Sequence, residues 1–245
     1  MKTKIDEIAD GVFRLSTFTP DLPPSGFTFN QYLIQADEPF LFHCGGRALF
    51  PSVSEAAATI MPLKSIRWIS FGHVESDECG SMNQWLSAAP EAQIVHGGIA
   101  CMVSLNDLAD RPPRALEHNE ILNIGGRRVR YIDTPHVPHA WESGLIFEEV
   151  TRTLFTGDLF TQLGDGPALT EESIVKASII AEEGFHAMAL TPTTASTIRN
   201  LKGLGAKCLA VMHGSCFQGD CDSELEALAE YTDQAFAAAG IGSRK

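Results

Sequence analysis

The sequence predicts an α/β chain folded as a four-layer αββα sandwich. Three observations carry that expectation. Apolar runs too short for helices are separated by turn residues, helical stretches return the chain to new apolar strands, and the second half repeats the texture of the first. Two sheets face to face, with helices outside them, is the economical arrangement for such an order.

The elements follow in order. Residues 12–15, 29–34 and 40–43 are apolar runs, the last closed by Gly45 and Gly46, and they read as strands of an antiparallel meander. Residues 52–60, with Ser54, Glu55 and three alanines, read as a helix that delivers the chain to a strand at 66–70. A short helix near 80–86 and a strand at 93–95 repeat the unit. Strands are expected at 128–132, 144–147 and 153–156, then helices near 171–183, 195–204 and 223–239, with a strand at 208–212 between the last two. No low-complexity segment, linker or short-period repeat interrupts this order.

With 245 residues and 44% hydrophobic content the chain can bury a large core, and residues 1–245 are expected to form a single domain. The Pro-rich loop 19–24 is too short to separate domains, though it could overhang a site. The charged N-terminal stretch holds no apolar run suited to a signal peptide or membrane span, so a cytoplasmic protein without membrane contact is expected. Six scattered cysteines with no Cys-x-x-Cys pair read as reduced thiols. A net charge of -13, and no basic run longer than Arg127-Arg128, argues against nucleic acid as a partner.

His73, Glu75 and Asp77 stand two residues apart, just past an apolar strand and Gly72. Residues at this spacing share a side only in extended backbone, so the three converge in a strand or loop and diverge on a helix. Three donors on one side of a loop can hold a cation, yet an isolated His-x-Glu-x-Asp is more often a solvated loop. His136, Asp158 and His213 change that balance, because each also follows an apolar strand beside Pro or Gly. Any one alone is more often a turn residue or a helix cap. Four strand ends delivering His and carboxylate together point to a metal site.

Those motifs, His73-Val74-Glu75-Ser76-Asp77, Thr134-Pro135-His136, Gly157-Asp158 and His213, resemble the metallo-β-lactamase superfamily over nearly the whole chain. Glu75 stands where that superfamily's hydrolases carry a second His. This is the hallmark of its flavodiiron branch, whose lactamase-like domain binds two irons and reduces O₂ or NO. The stand-alone oxygen-binding diiron proteins are similar too. The resemblance implies a metallo-β-lactamase fold with His73, Glu75 and His136 on one iron, Asp77 and His213 on the other, and Asp158 bridging them. The donor chemistry agrees: exchanging an imidazole for a hard carboxylate favours iron, or manganese, over zinc.

Flavodiiron proteins carry a flavodoxin-like domain after the lactamase-like one, and the sequence beyond His213 reads as a single helix. No flavin is therefore expected on this chain, and electrons would come from an external redox protein, or O₂ binding would be reported to a signalling partner. Relatives form head-to-tail dimers, so a homodimer is compatible with the resemblance. The competing function is a dinuclear hydrolase of thioesters, esters or phosphodiesters, in which a metal-bridging hydroxide attacks the substrate. Glu75 argues against it.

Several residues stay open or are set aside. Glu78, where hydrolase relatives carry His, is compatible with a further ligand, a partner of a ligand, or an exposed charge. His139 reads as pocket lining or as a partner of a ligand, and His43 as a satisfied core histidine. His96, His118 and His186 have no motif context. Phe27, Phe29, Trp141 and Phe160 fall close to the metal loops and could line a dry pocket, although aromatics in strands are more often plain core. Cys216 and Cys221 lack the basic neighbours that would activate a thiol.

Overall fold

The computed structural model describes residues 2–240. A first sheet takes its strands in chain order: β1 (Thr3–Ala9), β2 (Val12–Thr19), β3 (Phe27–Ile34), β4 (Phe40–Phe42), β5 (Trp68–Ser70), β6 (Gln93–Gly97) and β7 (Arg114–Leu116). The first four are antiparallel, and β4 to β7 are parallel. Parallel neighbours need crossovers. These are α1 (Phe50–Ile60), then α2 (Ser76–Cys79) with α3 (Met82–Ala88), then a helical stretch that includes α4 (Gly98–Ala100) and α5 (Asn106–Leu108). Pro51 lies in the first turn of α1, where its missing N–H costs nothing.

The second sheet contains β8 (Ile121–Asn123), β9 (Arg128–Asp133), β10 (Gly144–Glu148), β11 (Thr153–Phe155), β12 (Leu169–Thr170), β13 (Cys208–Ala210) and β14 (Cys216–Gln218), in the spatial order β12-β14-β13-β11-β10-β9-β8. Its helices are α6 (Val175–Phe185), α7 (Thr194–Asn200) and α8 (Cys221–Ala238), the last capped by the Asp220 carboxylate, which accepts from Ser223 N.

Strand periodicity makes the four layers. In β4, Phe40 and Phe42 face the second sheet, whereas Leu41 faces the helical layer around α1 and α3. Across the gap, Phe155 of β11 meets the inter-sheet core and Leu154 packs under α7 and α8. Each such fully buried side chain contributes about 1.5–3 kcal/mol. The expected αββα sandwich is the one observed. Strand β1 was not expected, because its exposed charged face hides the alternation, and neither were the short β7, β8, β12 and β14.

A buried polar cross-link joins the sheets near one edge. Arg14 is 2% exposed and donates to Asn30 Oδ1 and to the Gly214 carbonyl. Asn30 donates in turn to the carbonyls of Val211 and Gly214, and Tyr32 Oη donates to Val211 O. These bonds hold the loop after β13 against the first sheet.

Candidate metal centre

Pairing geometry brings the sequence-predicted residues together. β9 and β11 each run antiparallel to β10, and β13 is parallel to β11, so the three strands end at the same edge of the second sheet. The loop after β5 meets that edge through Gly144 N, which donates to Gly72 O at 2.8 Å, while Met212 N donates to Gly157 O at 2.9 Å. The loops carrying His73, His139, Asp158 and His213 thereby face one another.

Four side chains, His73, Glu75, His139 and Asp158, place one donor atom each within 4.8 Å of all the others. His73 Nε2 lies 2.8 Å from both Glu75 Oε2 and His139 Nε2, and Asp158 Oδ2 is 3.4 Å from His139 Nε2. Asp158 turns its other oxygen, Oδ1, to His213 Nε2 at 3.2 Å, and Asp77 Oδ2 approaches that nitrogen at 3.4 Å. His213 Nδ1 lies 2.8 Å from the Thr28 carbonyl, to which it donates, so Nε2 is the nitrogen presented to the carboxylates.

His136 does not join the group. It is solvent-exposed with φ +64°, and its N–H donates to Ala140 O while Val137 N donates to Thr134 O. The loop curls back on itself, sends His136 outward and brings His139 to His73. The place expected for His136 is thus taken by His139, which had read as pocket lining or a ligand's partner. The usable signal is the distance to the next strand. Gly144 opens β10 against Gly72, so a side chain shortly before it lies beside His73.

The remaining candidates also find places. Glu78 is completely buried, which rules out an exposed charge, and its Oε1 lies 3.3 Å from His73 Nδ1. His43 is equally buried and lies 3.7 Å from the same carboxylate. Glu142, which sequence reasoning missed, accepts from Val74 N and steadies the loop between His73 and Glu75. His96 is buried against Phe71, away from the donors, and His118 and His186 are exposed.

The charges are strongly coupled. Burial disfavours a charged His73, yet the Glu78 charge, hydrogen bonding with Glu75 and the Asp158 charge outweigh it and push its pKa up to about 11. His213 is likewise opposed by burial but raised to about 10 by Asp158 and Asp77. Hydrogen bonds from His139 and His73 hold the Glu75 carboxyl well below its usual range. Two imidazoles thus carry protons where a cation would otherwise satisfy the carboxylates.

A cavity of about 350 Å³ opens over these groups, walled by Phe27, Pro138, Phe160, Phe185 and Met188 and floored by Glu75, Asp77, His139, Asp158 and His213. The Phe27 ring sits 4.2 Å from the His213 ring and Phe29 meets it edge-on at 5.3 Å. Trp141 is 54% exposed and takes no part in the cavity wall.

Imidazoles and carboxylates in this mixture suit iron or manganese. The residues fit two such ions: His73, Glu75, His139 and Asp158 would hold one, and Asp77, His213 and the far oxygen of Asp158 the other. That far oxygen, Oδ1, is buried and faces His213 Nε2 at 3.2 Å, away from the His73 and His139 group, as a carboxylate bridging two cation positions would.

A family model described as "ODP family beta lactamase" matches residues 27–214, which include every residue of the cluster. Rubredoxin-oxygen oxidoreductase of Megalodesulfovibrio gigas is 23% identical over 225 residues, covering 87% of this chain and 55% of that protein. Its solved structure superposes with a TM-score of 0.82 at 20% identity, over 94% of this chain and 62% of that one. The flavodiiron protein of Giardia intestinalis gives 0.79 at 17% identity, over 96% of this chain and 60% of that one. A 1–254 fragment of diflavin flavoprotein A 5 from Nostoc sp. gives 0.83 at 16% identity, over 98% of both chains. This chain spans about half the length of the curated oxidoreductase.

Proposed function

This chain belongs to the ODP family beta lactamases, and we propose that it is a non-heme diiron protein that binds O₂ or NO at its buried His and carboxylate cluster. The observation that carries this is Asp158, which turns one oxygen toward His73 and His139 and the other toward His213. A carboxylate so placed spans two cation positions. Two ferrous ions held there would supply two electrons to a diatomic ligand.

The chain's own residues do the rest. Thr28 fixes the far side of His213, so that ring presents Nε2 to the centre. Phe27, Phe160, Phe185 and Met188 wall the cavity with apolar surface, which limits water and suits a small apolar gas. Turnover would draw electrons from a redox protein, a role that a relative named for both rubredoxin and oxygen supports. Without such a donor the centre would bind its ligand and serve as a sensor. Glu75 in place of a third imidazole favours this redox reading over a dinuclear hydrolase.

Six cysteines, all free and buried, suit a reducing compartment, which supports a cytoplasmic location. Among the described residues no helix is long and apolar enough to cross a membrane.

The test is metal analysis of protein purified anaerobically, with absorption spectra before and after O₂. Two irons per chain and a new visible band on oxygenation are expected. Zinc alone, with a spectrum indifferent to O₂, would overturn the proposal.

A further inference from the structure

We infer that Glu78 is a positioning residue for the metal centre: from beneath the cluster it holds the Nδ1 proton of His73 and so commits Nε2 of that ring to the metal. The inference rests on the diiron reading above and deepens it.

Three buried polar atoms without hydrogen-bond partners face one another here: His73 Nδ1, His43 Nε2 and Glu78 Oε1. The carboxylate oxygen lies 3.3 Å from the first and 3.7 Å from the second. Its other oxygen, Oε2, accepts the backbone N–H groups of Gly72 and His73. Glu78 is therefore locked against the loop that carries His73, and a Nδ1–H on His73 is the one arrangement that gives Oε1 a donor from that ring. On the far side, His43 donates Nδ1–H to the Asn30 carbonyl and keeps its ring pressed against the same carboxylate.

Gly72 makes this approach available. A Cβ at that position would stand 2.9 Å from both Glu78 oxygens, closer than side chains pack. The residue after Asp77 thus turns away from the metal cavity, which Glu78 does not line. It acts through His73 instead.

Glu78→Gln separates this role from simple space filling. Gln keeps the volume, and its carbonyl oxygen can accept from Gly72 and His73, which leaves the amide NH₂ facing His73 Nδ1. An NH₂ donates, so the His73 proton is driven to Nε2 and the ligand nitrogen is blocked. The experiment titrates anaerobic metal-free protein with Fe(II), and with Co(II) as an optical probe, against a competing chelator. Folding of each variant is checked by circular dichroism of the metal-free form.

Glu78→Gln is expected to weaken the first metal bound by about 10–100-fold, the usual cost of losing a ligand's hydrogen-bond partner. It should be at least as damaging as Glu78→Ala despite its closer shape, and Glu78→Asp should restore part of the affinity. Gly72→Ala, which keeps Glu78 but displaces it, should reproduce the loss. In the Co(II) protein, one slowly exchanging imidazole N–H resonance should be present in the parent and absent in Glu78→Gln. A Glu78→Gln protein that binds metal within two-fold of the parent and keeps that resonance overturns the inference while leaving the diiron reading intact. A parent protein that binds neither ion overturns both.

Discussion

His139 Nε2 lies 2.8 Å from His73 Nε2, joining a ring from the loop after β9 to one from the loop after β5. Two imidazole nitrogens approach so closely only when one carries a proton or when a cation takes that proton's place. The contact identifies His139, rather than His136, as the imidazole that completes the cluster. His139→Ala should remove the tighter metal position, lowering affinity by at least about 100-fold, since loss of a ligand costs more than loss of its partner. His136→Ala should leave affinity and stoichiometry unchanged, because its ring is exposed and outside the cluster. Chelator competition on both variants checks this, and the reverse pattern would restore His136.

Metal binding should release protons. His73 and His213 have pKa values pushed up to about 11 and about 10, so both rings are charged at neutral pH before metal arrives. A ligand nitrogen must be unprotonated. Apparent affinity should therefore rise with pH through the neutral range, by up to about 100-fold per pH unit if both protons leave. Without metal the sign for stability is opposite. A His pKa raised above its unfolded value of about 6.5 stabilises the fold fully below that pH, and the contribution is lost as pH climbs through 10 and 11. Calorimetric titration in buffers of different ionisation enthalpy measures the proton count, and a count of zero would contradict the assignment.

Asp158→Asn should cost both metal positions, whereas Asp77→Ala should cost one. Asp158 faces His73, His139 and His213 together, while Asp77 approaches His213 and is separate from the four-residue group. Metal-to-protein ratios after desalting distinguish the two variants. Equal loss in both would mean that Asp158 is not shared.

Glu75→His should shift preference from iron toward zinc. The Glu75 side chain is 50% exposed, so a larger imidazole can be accepted without repacking the core. A third imidazole at this position makes the donor set comfortable for zinc. Competition between Fe(II) and Zn(II) for parent and variant is the measurement. Unchanged iron preference and an unchanged response to O₂ would show that the carboxylate does not select the metal.

Asn30→Ala should destabilise the fold by about 3 kcal/mol. Its amide satisfies the buried Val211 and Gly214 carbonyls, and its oxygen accepts from buried Arg14. The same loop carries His213, so the metal position shared by Asp77 and His213 should weaken as well. Urea unfolding of metal-free protein reports the first effect and metal titration the second.

The sequence by itself determined the layers and the chemistry. Unbroken apolar runs such as Phe40-Leu41-Phe42 say that a strand is buried on both faces, and sheets stacked between helices provide that. Donor types in His73-Val74-Glu75-Ser76-Asp77, with Glu75 where a third imidazole would otherwise stand, spoke for a carboxylate-rich cation site because donor type is a local property, but the expected extended spacing holds only for His73 and Glu75: Asp77 lies in α2 and turns to His213 instead. Which histidine points inward is not local. His136 and His139 share one short loop with similar neighbours, and their fates were decided by how that loop curls between β9 and the Gly144–Gly72 contact. Glu78 was decided in the same way. Its charge was visible in the sequence, but its turn beneath His73 depends on the space left by Gly72 and on burial by His43, residues that only the packed sheets bring together.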